Sequence, residues 1–263
     1  MRNTFKALAT AFALFAQTLN AHGNTDFDLV IKGGRVIDPE TQLDAKRDIG
    51  ILQGKITAIS AEPLSGKRII DVSGQTVSPG FIDIHSHSPT LLGQHLNLHD
   101  GITTQLELEM GAWPISAYGD HFTGGAQLNF GASVSHAAVR VKVIEDKDQP
   151  YAFVGRKIAM SMGSPAWSDP ATREQIEQMR ALLREGLQSG GLGIGLLLDY
   201  MTSAISPEEL AMVFDTAAEF GRPVAVHVRR GFPGDASGID EIIQQATRSG
   251  APTLICHITH SAM

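Results

Sequence analysis

Cysteine is almost absent. Cys256 stands alone in 263 residues, so no internal disulfide can form and the fold has to be held by its core. Positive charge is in deficit: 21 Lys and Arg face 28 Asp and Glu, for a formal net charge of -7. Basic residues never run longer than two in a row. That excludes the electrostatic footprint of a nucleic-acid binder and favours a soluble, acidic surface. Long apolar runs are missing too. The richest stretch, Ala7 to Ala16, is about half of the roughly 20 residues that a bilayer span needs. What remains is 43% hydrophobic and 19% charged, with 27 Gly and 12 Pro. This profile excludes disorder, collagen-like repeats and a multi-pass membrane protein.

The N-terminus reads MRNTFKALATAFALFAQTLNA, with Arg2 and Lys6 ahead of the apolar stretch and the small residue Ala21 at its end. This is the layout of a secretory signal over 1–21, and it predicts export to the periplasm or beyond without a stable membrane anchor. Within residues 22–78, the stretch from Phe27 to about Val77 alternates with period two through DLVIKGGRVID, DIGILQGKITAIS and KRIIDVSGQTVSPG. Gly33-Gly34 and Gln53-Gly54 fall between apolar runs, where tight hairpin turns use glycine's access to positive φ. A small antiparallel β-module is expected here.

From Pro79 to Met263 strands and helices alternate. A helix is predicted from Asp169-Pro170, with Ile176, Met179, Leu183 and Leu187 on its apolar face. Ser206-Pro207-Glu208-Glu209 reads as a capping box with proline at the first helical position. Gly191, Gly221 and Gly250 stop successive helices at intervals of about 30 residues, the period of a βα unit. Strands bridged by helices in this way are parallel, so the expected class is α/β, with a barrel or a doubly wound sheet as the two options. Strands are placed near residues 81, 103, 129, 192, 224 and 253.

The chemistry gathers at strand ends. In PGFIDIHSH, His85 and His87 are two apart, so both rings point to one side of an extended strand and are able to share a metal ion. His227 follows PVAV and His257 follows TLIC, at the equivalent place in later units. In a parallel barrel such ends converge on one site. Glu107 and Glu109, in GITTQLELEMG, share a strand face flanked by Leu106 and Leu108, an expensive arrangement unless a cation meets it. Glu109 is the favoured bridging carboxylate because it lies nearer the strand end, with Glu107 as the alternative. His99, His121, His136 and His260 are read as structural or surface residues.

Together, PGFIDIHSH, GITT with its acidic strand end and the two later strand histidines resemble the amidohydrolase superfamily. NFGASVSHAAVR, GLGIGLLLDYMTSAISPEEL and VHVRR followed by CHITH are similar to its N-acyl-D-amino-acid deacylase, or D-aminoacylase, branch. The resemblance implies an antiparallel β-sandwich-like module beside a TIM-like (β/α)8 barrel. It places His85 and His87 on one metal position and His227 and His257 on the other, with one or two zinc or other divalent ions. Met110 stands where that branch carries a metal-binding cysteine, and the bridging glutamate of related amidohydrolases implies Glu109 in its stead. The implied reaction is attack of a metal-bound hydroxide on the linear amide of an N-acyl-D-amino acid. The family's proton-shuttling aspartate, at the end of the eighth strand, matches no position here.

Arg229 and Arg230 directly follow a histidine, and a guanidinium fork suits the carboxylates of an N-acyl amino acid, acidic ones such as N-acyl-D-glutamate included. Tyr200, at the end of LGIGLLL, is placed to donate to the acyl oxygen. Two other readings compete. Cyclic-amide hydrolases of the dihydroorotase or hydantoinase kind share HxH but use a carboxylated lysine on the fourth strand, and GLGIGLLLDY has none. The other is an inactive remnant that binds metal or ligand without turnover. About 185 residues follow the β-module, against about 250 in a typical complete barrel. Six βα units of an incomplete barrel are therefore expected, with the aspartate beyond the chain end.

Overall fold

The computed structural model describes residues 26–148, 163–232 and 234–261. The expected signal segment, 1–21, lies outside them. Among the described residues no helix is long and apolar enough to cross a membrane. The chain divides into two compact units after Pro79.

The first unit is one five-stranded sheet: β1 (Leu29–Asp38), β2 (Leu43–Leu52), β3 (Lys55–Ser60), β4 (Ile69–Asp71) and β5 (Thr76–Val77). The order is β3-β2-β1-β4, and β5 also pairs with β1. β1, β2 and β3 are antiparallel, but β4 and β5 both run parallel to β1, so the module is mixed and not wholly antiparallel. Gln53-Gly54 makes the expected turn, at φ 51° and 74°. Gly33-Gly34 does not. It forms a bulge inside β1, where Gly33 has φ 76° and donates its N–H to Asp48 Oδ1 at 2.8 Å. A Cβ on Gly34 would lie 2.7 Å from Val77 Cγ2. These glycines serve a bulge and a close approach, and the chain reverses further on, at 39–42.

The second unit is a six-strand parallel half-barrel in sequential order: β6 (Phe81–Asp83), β7 (Ile102–Ala112), β8 (Asn129–Ser135), β9 (Ile194–Leu197), β10 (Val224–His227) and β11 (Thr253–Ile255). The main helices are α1 (Leu91–His99), α2 (His136–Glu145), α3 (Arg173–Gln188), α4 (Pro207–Glu219) and α5 (Ser237–Ser249). Helix α3 starts three residues later than Asp169-Pro170 suggests. Thr172 and Gln175 form a reciprocal capping box there and satisfy the first backbone donors. Its buried face, Ile176, Met179, Leu183 and Leu187, joins one core with Val134, Ile194, Leu196, Val224 and Val226. Each such side chain contributes roughly 1.5–3 kcal/mol on burial.

Helix α4 departs from its sequence signature in one respect. The Ser206 side chain accepts the Glu209 N–H at 3.2 Å, but the Glu209 carboxylate does not reach back to the cap. It turns inward and is fully buried, 2.5 Å from Arg140 Nη1 and 2.8 Å from His136 Nε2. Arg140 also donates to the carbonyls of Ala166 and Asp169, at 2.8 and 2.7 Å. One guanidinium thus ties α2, α4 and the helical turn Pro165–Ser168 together. Burial opposes ionisation of Glu209, yet His136 and Arg140 outweigh it and hold the carboxyl below its ordinary range.

Candidate metal centre

The strand ends converge as a parallel barrel requires. After β6 the chain runs on beside β7, with Ser86 N donating to Leu106 O at 3.0 Å and His85 bridged to Glu107. This carries His85 and His87 to the carboxyl end of the sheet. β10 ends on His227 itself, and His257 follows β11 in the left-handed region at φ 47°. Such a conformation costs a non-glycine residue energy and is concentrated at functional sites. The rings meet: His85 lies 4.8 Å from His87 and 4.6 Å from His257, and His257 lies 4.7 Å from His227.

Glu109 occupies the middle. Its Oε2 is 3.3 Å from His85 Nε2 and 3.2 Å from His87 Nε2. Its Oε1 is 3.0 Å from His227 Nδ1 and 2.5 Å from His257 Nε2. One carboxylate oxygen therefore faces each histidine pair. Burial opposes the charge on Glu109, but His227, His85 and His87 together hold its carboxyl far below the usual range. Glu107 has a different place. Fully buried, it accepts from Met110 N at 3.1 Å and sits 2.7 Å from His87 Nδ1, on the far side of that ring. Burial works against a charged His87, yet Glu107 and Glu109 push it up to about 10.

A break in the β7 ladder separates the two glutamates. The register with β8 shifts between Glu107 and Ala112, and Ser133 Oγ donates to Leu108 O at 2.6 Å inside the gap. The bulged segment crosses toward β9, where a Cβ on Gly195 would stand 2.3 Å from the Glu109 carbonyl oxygen. Only glycine leaves that room. Gly195→Ala is expected to cost about 1–3 kcal/mol, the usual range for overpacking, measured by urea unfolding. An unchanged midpoint would mean that the bulge yields freely.

The donor set fits a divalent cation. Two imidazole nitrogens, of His85 and His87, stand 3.1 Å apart, where they have room for one proton or a shared cation. Ligand atoms of His85, Glu109 and His257 all lie within 4.8 Å of one another. Nitrogen and carboxylate donors suit zinc and its neighbours. The cluster opens to solvent along His85, His87 and His257, whose side chains are a quarter to a third exposed.

The rim differs from a simple pair of arginines. Arg229 is committed to the scaffold: it donates to Glu241 at 2.9 Å, to Ile205 O at 2.8 Å and to Thr202 O. Arg230 pairs with Asp199 at 2.6 Å and is nearly half exposed. Tyr200 stands at the mouth with its ring 4.9 Å from that of His227. Two residues at the site were not singled out from sequence. Asp199, two residues past β9, approaches His227 with Oδ2 3.7 Å from Nε2. Cys256 is buried before His257, and burial with Glu109 and Glu107 nearby pushes its thiol up to about 12. His136 belongs to the Glu209 network, and His99 packs against His95.

No family model matches the chain. N-acyl-D-glutamate deacylase of Alcaligenes xylosoxydans xylosoxydans is 28% identical over 246 residues, covering 88% of this chain and 49% of that protein. D-aminoacylase of the same organism is 25% identical over 263 residues, covering 88% and 50%. Among solved structures, N-acyl-D-glutamate deacylase from Bordetella bronchiseptica, in complex with zinc and a phosphonate mimic of the tetrahedral intermediate, superposes with a TM-score of 0.69. It is 23% identical, and the match covers 88% of this chain and 51% of that one. The chain spans about half the length of the curated relatives it matches.

Proposed function

We propose that this chain is an amidohydrolase of the D-aminoacylase and N-acyl-D-glutamate deacylase branch, and that its strand-end cluster is a zinc centre for cleaving the linear amide of N-acyl-D-amino acids. The observation that carries the proposal is Glu109, with one carboxylate oxygen toward His85 and His87 and the other toward His227 and His257. That is the disposition of a carboxylate between two cation positions. His85, His87, Glu109, His227 and His257 are the proposed ligands, for one ion or two. What zinc supplies in such a site is Lewis acidity toward a carbonyl oxygen and a water pKa lowered to near 7.

The chain's own residues do the remaining work assigned to them. Glu107 fixes the His87 ring from behind. Tyr200 is proposed to donate to the acyl oxygen from the mouth. Arg230 is the proposed partner of a substrate carboxylate: it pairs with Asp199 but is nearly half exposed, whereas Arg229 is largely covered and bound to Glu241 and two carbonyls. An acidic side chain such as that of N-acyl-D-glutamate is the substrate class this favours. Export through the N-terminal segment is part of the same proposal.

The test begins with metal. After incubation with zinc and dialysis, the chain should retain one or two equivalents, and His227→Ala and His257→Ala should each lose zinc. Unchanged zinc in both variants would exclude the site. N-acetyl derivatives of glutamate, aspartate and leucine, in both hands, then read the chemistry. Faster release of acetate from the D-glutamate compound is expected. Bound zinc without hydrolysis of any of them would favour a metal-binding protein without turnover.

A further inference from the structure

His227 has a second ring nitrogen that the site as described leaves without work. Its Nδ1 faces Glu109, whereas Nε2 is buried, lacks a hydrogen-bond partner and points toward Asp199, with Oδ2 at 3.7 Å. The side chain of His227 is 8% exposed, so water has little access to that nitrogen. The arrangement repeats one already seen across the site. His87 turns Nε2 to Glu109 and Nδ1 to the buried carboxylate of Glu107. A metal-binding imidazole usually donates its other N–H to such a group, which fixes its tautomer and orientation and raises its basicity.

Asp199 is held where this role needs it. β9 pairs with β10 in a register that sets Leu197 against His227, and Leu198 N donates to His227 O at 2.9 Å. The chain then turns through Asp199–Met201. Asp199 Oδ1 accepts from Arg230 N at 3.0 Å, and Oδ2 accepts from Arg230 Nε at 2.6 Å. Its carboxylate is thus anchored by the residue three positions after the histidine it approaches. We propose that Asp199 is the positioning residue of His227, accepting the Nε2–H while Nδ1 faces the ion, with Arg230 as its anchor. The gap of 3.7 Å is just under 1 Å longer than a hydrogen bond, a shift well within what binding sites make on loading.

This inference rests on the reading of His227 as a metal ligand, and the experiment separates the two. Zinc affinity of the 263-residue chain is measured by chelator competition, and cobalt(II) reports the ligand field through its visible absorption. Asp199→Ala should weaken zinc binding roughly 10–100-fold and shift the cobalt spectrum, with stoichiometry kept. Asp199→Glu should recover most of that loss, and Arg230→Gln should show a smaller one. Thermal melting by circular dichroism checks folding; if Asp199→Ala does not fold, Asp199→Asn is read in its place. Unchanged affinity and spectrum in a folded variant overturn the proposal alone. So does loss of a whole equivalent of cobalt, which would make Asp199 a ligand. A parent chain that binds neither metal overturns both readings.

Discussion

Glu109→Gln is expected to weaken zinc binding by more than about 100-fold, beyond the roughly 10–100-fold typical of a residue that only supports a ligand. The glutamine keeps the size of the side chain but not its charge, and it offers one oxygen where the carboxylate offers two. Both oxygens matter, because each faces a different histidine pair. Glu107→Gln is expected to fall within the roughly 10–100-fold range, since Glu107 meets the outer nitrogen of His87 and a backbone N–H rather than the histidine nitrogens that Glu109 faces. Chelator competition on the two variants, at one pH, checks the ranking. Equal losses, or a greater loss for Glu107→Gln, would put the bridging role on the wrong glutamate.

Glu209→Gln, far from that chemistry, should cost about 3–5 kcal/mol of stability in chemical unfolding. The Arg140 guanidinium and the Glu209 carboxylate are both fully buried, so removing one charge strands the other where water cannot reach it. Arg140→Met should do similar damage and also release the carbonyls of Ala166 and Asp169. Combining the two should cost less than their sum, because no buried charge is then left alone. A strictly additive double variant would falsify the pairing. The same network predicts an acid limit. The Glu209 carboxyl is held below its ordinary value of 4.5, so its contribution is fully present above that pH. It is lost as pH falls through the lower, folded-state value. Acid unfolding of the parent should therefore be steeper than that of Glu209→Gln, measured by circular dichroism from pH 6 downward.

Much of the half-barrel was legible along the chain. The six strand positions, the apolar stripe of α3, the Ser206 cap and the stop at Gly250 all follow from repeats of two or 3.6 residues and from local capping. The convergence of His85, His87, His227 and His257 was also foreseeable, because parallel strands leave their carboxyl ends on one rim. Other residues carried signals that pointed elsewhere. Glu209 has the spacing of a capping box, yet a buried arginine 69 positions away claims its carboxylate. Gly33-Gly34 looks like a turn and is a bulge, because strands later in the chain pack over it. Arg229 and Arg230 look alike in sequence, and their partners, Glu241 and Asp199, separate their duties.

The sequence by itself determined the class of fold, the positions of its parallel strands along the chain and the set of histidines at their ends. Each of those depends on backbone geometry that neighbouring residues impose on one another. The position along the strand favoured Glu109 over Glu107, and the tertiary structure decided what each of the two glutamates meets. Period-two alternation puts Glu107 and Glu109 on one buried face, and the fold brings the four histidines around Glu109 while Glu107 stands behind His87. It likewise set Asp199 beside His227, through the pairing of β9 with β10. Contacts of that kind belong to strands far apart in sequence, and no local pattern encodes them.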